Sequence, residues 1–261
     1  NITFWTPNTT DIGALAVEDA GTYGKTGTMK SVIVAYENYS VDTLYNVPVG
    51  YFINNGTPVL DTIAMILPSS IDTFTYATSF TLNGNQTLTA FVDYPQDSVF
   101  FNDTIVAKFK GLNQYTVDFD DDFEGNDEWF VNGTNQQWEL GMPTSTYITT
   151  VSSGTNAWVT DLDNDYQPSS FEYLYSPYFT IPAGADTARL EFMQNMVVNT
   201  SEGAGIVQYS FDGIFWADLG YLLYPGSQNW YNANMGGIHV FTQNTNGWIK
   251  SSIQIDPNDI P

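Results

Sequence analysis

Apolar residues recur at every second position through much of the chain. In segment 30–38, Val32, Val34 and Tyr36 fall on one face of an extended strand. Val47, Val49, Tyr51 and Ile53 do the same in the next run, and Leu88, Ala90 and Val92 form a later inward row that Asp93-Tyr94-Pro95 ends. Asn54-Asn55-Gly56 supplies a turn between runs, with a glycine free to take positive φ. No segment shows the 3.6-residue period of a helix. Short alternating runs bounded by turn residues predict a β-sandwich up to about residue 113. From residue 115 the composition shifts to Trp, Asn, Gly and Asp, but alternation continues. Val207, Tyr209 and Phe211 lead into Asp212-Gly213, the pattern of a hairpin. The chain reads as all-β, an Ig-like β-sandwich over 1–113 followed by a second β-sandwich over 114–261.

Composition agrees and narrows the partners. The 261 residues suit two domains, and a 43% hydrophobic content is ample for packed cores. Six basic residues face 29 acidic ones, a formal charge of −23. That field repels nucleic acid and anionic membranes, and it makes calcium the natural small partner. Cysteine is absent, which removes thiol catalysis, Cys-ligated metals and disulfides. One histidine, His239, excludes a multi-histidine metal site. In 238–241 it is flanked by apolar residues and reads as a sheet imidazole with a local hydrogen bond. No apolar run is long enough for a spanning helix. The start at Asn1, with no signal peptide, reads as a mature or excised segment.

Within the first half, Asp11-Ile12-Gly13, the runs 32–38 and 47–55, the Leu67-Pro68 break, and Asp93 with Asn102-Asp103 occur in order. They resemble the CARDB-like Ig modules of cell-surface proteins. That resemblance implies a spacer that presents something else.

The second half carries Phe123-Glu124, then Trp138-Glu139-Leu140-Gly141-Met142-Pro143, then Gly154-Thr155-Asn156-Ala157-Trp158-Val159-Thr160. Ser176-Pro177 and Ser210-Phe211-Asp212-Gly213-Ile214-Phe215-Trp216 follow. The ordered series resembles the cleaved-adhesin or MAM-like jelly-roll domain of surface proteins exported by the type IX secretion system of Bacteroidota. The resemblance implies two packed antiparallel sheets with structural calcium, Glu124 being the match to the ligating acid of the Phe-Glu motif. It also implies further strands beyond Pro261, so the jelly roll is expected to be incomplete, with a calcium ligand lying outside the chain.

Two carboxylate-rich segments are the metal candidates. Asp161, Asp163 and Asp165 alternate around Asn164 and could wrap a hard cation; a solvated acidic turn is the competing reading. Asp118, Asp120, Asp122 and Glu124 lie in a run whose mutual repulsion a cation would relieve, or they form a solvated linker. For glycoside hydrolysis, 124–128 lacks the alternating acids that a jelly-roll glycosidase strand needs. Segment 210–216 looks like a sialidase Asp-box one residue short, and one arginine is too few for a sialidase. No catalytic residues are assigned.

Aromatic residues crowd the second half, and loop 221–231 contains Asn229-Trp230-Tyr231. Trp230 and Tyr231 are the ligand-binding candidates, since flat rings stack on sugars; core packing is the alternative. Asp-Ser/Thr-aliphatic triplets resemble the O-glycosylation signal of exported Bacteroidota proteins, with Thr43, Thr62, Ser98, Thr104 and Thr187 as acceptors. N-linked sequons at Asn8, Asn38 and Asn55 would matter only in a eukaryotic secretory route.

The expected function is non-catalytic adhesion or display at an extracellular cell surface. Its partners would be extracellular glycans or proteins. The alternatives are a carbohydrate-binding module, an appendage of a secreted enzyme, and cargo or a component of the type IX secretion or gliding machinery.

Overall fold

The computed structural model of the chain describes residues 9–18, 22–125, 128–198 and 203–256. Their regular elements are all strands, with no helix among them. The chain divides into two compact units, Asn1–Gln114 and Tyr115–Pro261, one residue past the expected boundary. No helix among the described residues is long and apolar enough to cross a membrane.

Unit 1 is a sandwich of two sheets. Ile12–Val17, Ile33–Asn38 and Ser70–Thr75 form a three-stranded sheet in that order. The five-stranded sheet has the order Tyr23–Lys25, Thr104–Leu112, Gly84–Val92, Leu44–Ile53, Val59–Ile66. Only Tyr23–Lys25 runs parallel to its neighbour.

Alternation places the core as expected. Val34 and Tyr36 from one sheet meet Val47, Leu88 and Ala90 from the other, all 0% exposed. Burying each large apolar side chain contributes about 1.5–3 kcal/mol. Asn46 takes a φ of 52°, and Leu44 and Val47, three positions apart, both face inward. The inward tyrosines satisfy their hydroxyls: Tyr36 and Tyr76 share a 2.7 Å hydrogen bond, and Tyr51 donates to the Thr78 carbonyl. Asn38 is also fully buried, its Nδ2 donating to the carbonyls of Asp42 and Leu67. No glycan fits on it, so the sequon there is structural. Asn8 lies outside the described residues.

Unit 2 is built from short ladders. Trp138–Gly141 pairs with Ala157–Thr160, and this pair nests inside Phe130–Gly133 with Glu172–Tyr175. A second nest has Ala188–Gln194 against Ile249–Ile255 on the outside. Inside it lie Gln208–Tyr209 with Ala217–Asp218, and Ala233–Met235 with Ile238–Val240. Nested antiparallel pairs are what a long hairpin folded over on itself produces. The continuous sheets implied by the jelly-roll resemblance are here two-stranded ladders. Left-handed residues interrupt them, among them Gln136, Asp161, Ser169, Leu223 and Asn229. The core gathers Leu219, Trp230, Tyr231, Phe241 and Ile253, with Leu190 and Phe192 packed on it.

Candidate functional site

Glu124 is clamped by four hydrogen bonds from the 155–156 segment. Its Oε1 accepts the backbone N–H groups of Thr155 and Asn156 at 2.6 and 2.7 Å. Its Oε2 accepts the Thr155 hydroxyl and the Asn156 amide. Gly154 sits against this carboxylate with a φ of +61°; a Cβ there would collide with Glu124, so the position requires glycine twice over. The hydrogen bond from the Thr155 hydroxyl, then those from the two backbone amides, hold the Glu124 carboxyl below its ordinary pKa.

The sign of the linkage follows. The stabilisation from a depressed carboxylate is present above the ordinary value and is lost as pH falls through the folded one. We expect the Thr155 and Asn156 amide resonances to titrate with a midpoint below about 4.3, the unperturbed glutamate value. Glu124→Gln should speed hydrogen exchange at those amides at neutral pH. A midpoint at or above the ordinary value would show that the clamp does not form in solution.

Of the other predicted ligands, Asp122, Asp161 and Asp163 are engaged within the protein. Asp122 accepts the Glu124 N–H. Its neighbour Asp121 accepts the Phe123 N–H and the Trp129 indole. Asp118 and Asp120 are exposed. Asp120, Asp121 and Asp122 line an open concavity of about 350 Å³ with Phe119, Gly125 and Glu128. Asp127 lies outside the described residues. In the second segment, Asp161 folds back onto the N–H groups of Asp163 and Asn164 at 3.1 and 2.8 Å. Asp163 accepts the Thr144 hydroxyl at 2.7 Å, and Asp165 is exposed. Among the described residues no group of three or more His, Cys, Asp or Glu side chains is placed to hold a metal ion. Asp122, Glu124, Asp161 and Asp163 accept internal N–H or O–H groups, while Asp118, Asp120 and Asp165 are left toward solvent.

Trp230 and Tyr231 are 6% and 3% exposed, and the expected binding loop does not present them. Trp230 packs against Phe192 and Phe241 and donates its indole N–H to the Leu219 carbonyl. The Tyr231 hydroxyl donates to the Val207 carbonyl at 2.8 Å and accepts its N–H at 3.0 Å. Burial pushes that phenol up to about 12. These rings are core because they have both apolar walls and polar partners inside. Exposed rings of unit 2 include Tyr221 at the start of that loop, Tyr147, Phe179, Phe171 and Tyr173 at strand Glu172–Tyr175, and those of the 210–216 turn.

That turn is structural, as its sequence suggests. Asp212 Oδ1 accepts the N–H groups of Ile214 and Phe215, and the Ser210 hydroxyl accepts that of Gly213. His239 lies in Ile238–Val240 opposite Asn234, and its Nδ1 is buried without a hydrogen-bond partner instead of making the expected local bond. Of the triplet acceptors, Thr62, Ser98, Thr104 and Thr187 are exposed and Thr43 is half-buried.

Unit 1 holds a polar network that residue types alone did not reveal. Asp97 is 7% exposed, and its carboxylate accepts the N–H groups of Ile12 and Val99 at 2.9 and 2.7 Å. Asn102 donates to Asp11 and its carbonyl accepts the Ala14 N–H, while Asp11 bonds Ser40. Asp103 lies beside them, its carboxyl raised by burial and then by the charges of Asp97, Asp11 and Asp93. The first strand is thus stitched to the 97–102 loop at one pole of the sandwich. From there Thr104–Leu112 runs to the other pole, where the Leu112 carbonyl accepts the Thr26 N–H. The chain comes in at one pole and leaves at the opposite one. Nine residues at about 3.3 Å each separate the poles by roughly 30 Å.

The sequence matches no protein-family model, and no curated protein matches it. Among solved structures the chain is similar to a domain assigned to a cell surface protein of Methanosarcina acetivorans, at 17% identity and a TM-score of 0.32, covering 40% of this chain and 93% of that one. It is also similar to the CARDB domain of a Pyrococcus furiosus protein solved with di-metal ions, at 15% identity and a TM-score of 0.31, covering 41% and 97%.

Proposed function

We propose that the chain is a non-catalytic segment of an extracellular surface protein, in which unit 1 acts as a spacer and unit 2 displays an adhesion face. The observation that carries this reading is the polarity of unit 1. A sandwich whose chain comes in and leaves at opposite poles adds its whole length to the reach of what it joins. One with both connections at the same end would add little. The buried anchor of Asp97 on Ile12 suits that task, because it fixes the incoming strand where an external load would act. Unit 2, read as a jelly-roll-related module from its nested ladders and its motif series, brings the exposed face. Export by type IX machinery, and O-linked glycans on the exposed acceptors Thr62, Ser98, Thr104 and Thr187, belong to the same reading. Calcium held by the acidic segments, where Asp118, Asp120 and Asp165 are exposed, is a further part of the same reading.

The test is antibody labelling of the producing cells with and without permeabilisation. Labelling of intact cells, removed by brief external protease treatment, is the expected result. Signal that appears only after permeabilisation would overturn the assignment.

A further inference from the structure

Unit 2 leaves a row of aromatic side chains outside its core. Tyr173 and Tyr175 share one face of strand Glu172–Tyr175, and Phe171 precedes them at the same two-residue spacing. Phe171 is 72%, Tyr173 46% and Trp216 40% exposed. The rings of Tyr173 and Tyr175 are stacked with centroids 6.1 Å apart. Trp216 extends the row by meeting Tyr175 edge-on at 5.4 Å, and Phe130 supports it across the ladder at 5.9 Å. Successive rings along the strand repeat about every 6.6 Å, which suits a linear ligand made of repeated units.

Charge decides what that ligand can be. Of the chain's acidic and basic residues, 19 and two fall in unit 2. Both bases, Arg189 and Lys250, pair with Glu191. An anionic ligand or a second copy of this unit would be repelled. The four rings are themselves uncharged, while the turn that supplies Trp216 also holds the exposed Asp212. Glu172 belongs to the opposite face of the strand, where its oxygens accept the N–H groups of Asn135 and Gln137. A cationic ligand would draw on the net charge of the unit and on the ring faces alike, and the hexalysine probe below separates that case. A wholly apolar partner would bury the Tyr173 hydroxyl and the Trp216 N–H at a cost. Uncharged rings with apolar C–H faces and hydroxyl edges meet every condition: faces against faces, hydroxyls toward the polar tips.

We propose that Phe171, Tyr173, Tyr175 and Trp216 form a binding row for a neutral oligosaccharide. This names the ligand class of the display unit proposed above. Surface labelling and sugar binding are separate measurements, so either can fail while the other stands.

The experiment is isothermal titration of the full chain with cello-, xylo-, manno- and maltohexaose, with oligogalacturonate and hexalysine as charged probes. Binding to at least one neutral hexasaccharide is expected. It should weaken by about tenfold or more in Tyr173→Ala/Trp216→Ala, the size of a lost ring stack. Phe171→Ala, at the most exposed ring of the row, should weaken it without touching the fold. Phe101→Ala, on an 89% exposed ring of unit 1, should leave it unchanged. Unfolding midpoints of all variants separate lost binding from lost structure. The proposal is overturned if no neutral sugar binds, if only a charged probe binds, or if folded row variants bind like the parent.

Discussion

Trp230→Ala should destabilise unit 2 by about 3–5 kcal/mol, the usual cost of removing a buried aromatic side chain. Three things are lost together. The ring is 6% exposed and touches Phe192, Tyr231 and Phe241, so truncation leaves a void lined by aromatics that cannot easily collapse. The Leu219 carbonyl loses its indole donor. The turn at Gly220 loses the wall it was built against: a Cβ there would already meet Ile253 and stand 3.2 Å from the Trp230 nitrogen. Calorimetry of the full chain should show the unit's transition falling by about 10 °C, given 2–4 °C per kcal/mol for domains of this size. An unchanged transition would mean that the ring is exposed in solution and that the loop regains a claim to ligand binding.

Asp97→Ala should cost unit 1 about 2–4 kcal/mol, because one side chain satisfies two backbone donors with charge-assisted bonds. The Ile12 donor is buried, and Ile12 is itself fully enclosed. Removing the carboxylate leaves these N–H groups short of acceptors and frees the incoming strand from the 97–102 loop. Asp97→Asn keeps one acceptor oxygen and should fall between the parent and the alanine variant. Urea unfolding followed by circular dichroism reads the effect as a lower midpoint with an unchanged slope. Amide exchange at Ile12 and Ala14 should rise first, since both are held at that pole. If Asp97→Ala unfolds at the parent's midpoint, the pole is not anchored in this way, and the load-bearing part of the spacer reading loses its support.

Much of unit 1 was legible beforehand. Val32, Val34, Tyr36, Val47, Val49, Tyr51, Leu88, Ala90 and Val92 all face inward as their spacing implied. In unit 2 the hairpin at Asp212-Gly213 was equally legible, because an Asp side chain and a glycine settle such a turn within a few residues. The surroundings of the metal and ligand candidates were not legible in the same way. Glu124 looked like a ligand by motif, yet its partners are residues 31 and 32 positions downstream. Trp216 is distant in sequence from Phe171 and Tyr173, and the three carry no local mark of a shared face, while Trp230 and Tyr231 stand in a loop-like stretch and yet are buried.

What the sequence determined by itself is the strand content, the phase of each strand and the charge. Period-two alternation and turn chemistry act between neighbours, and charge is additive whatever the fold. What only the tertiary structure decided is which carboxylates and which rings are free. An acid reads the same whether it will meet water, a cation or a backbone N–H. The Asp97 carboxylate found its Ile12 donor 85 residues away, and the Trp230 ring found walls in Phe192 and Phe241. Those meetings depend on how the ladders stack, and no local spacing encodes them.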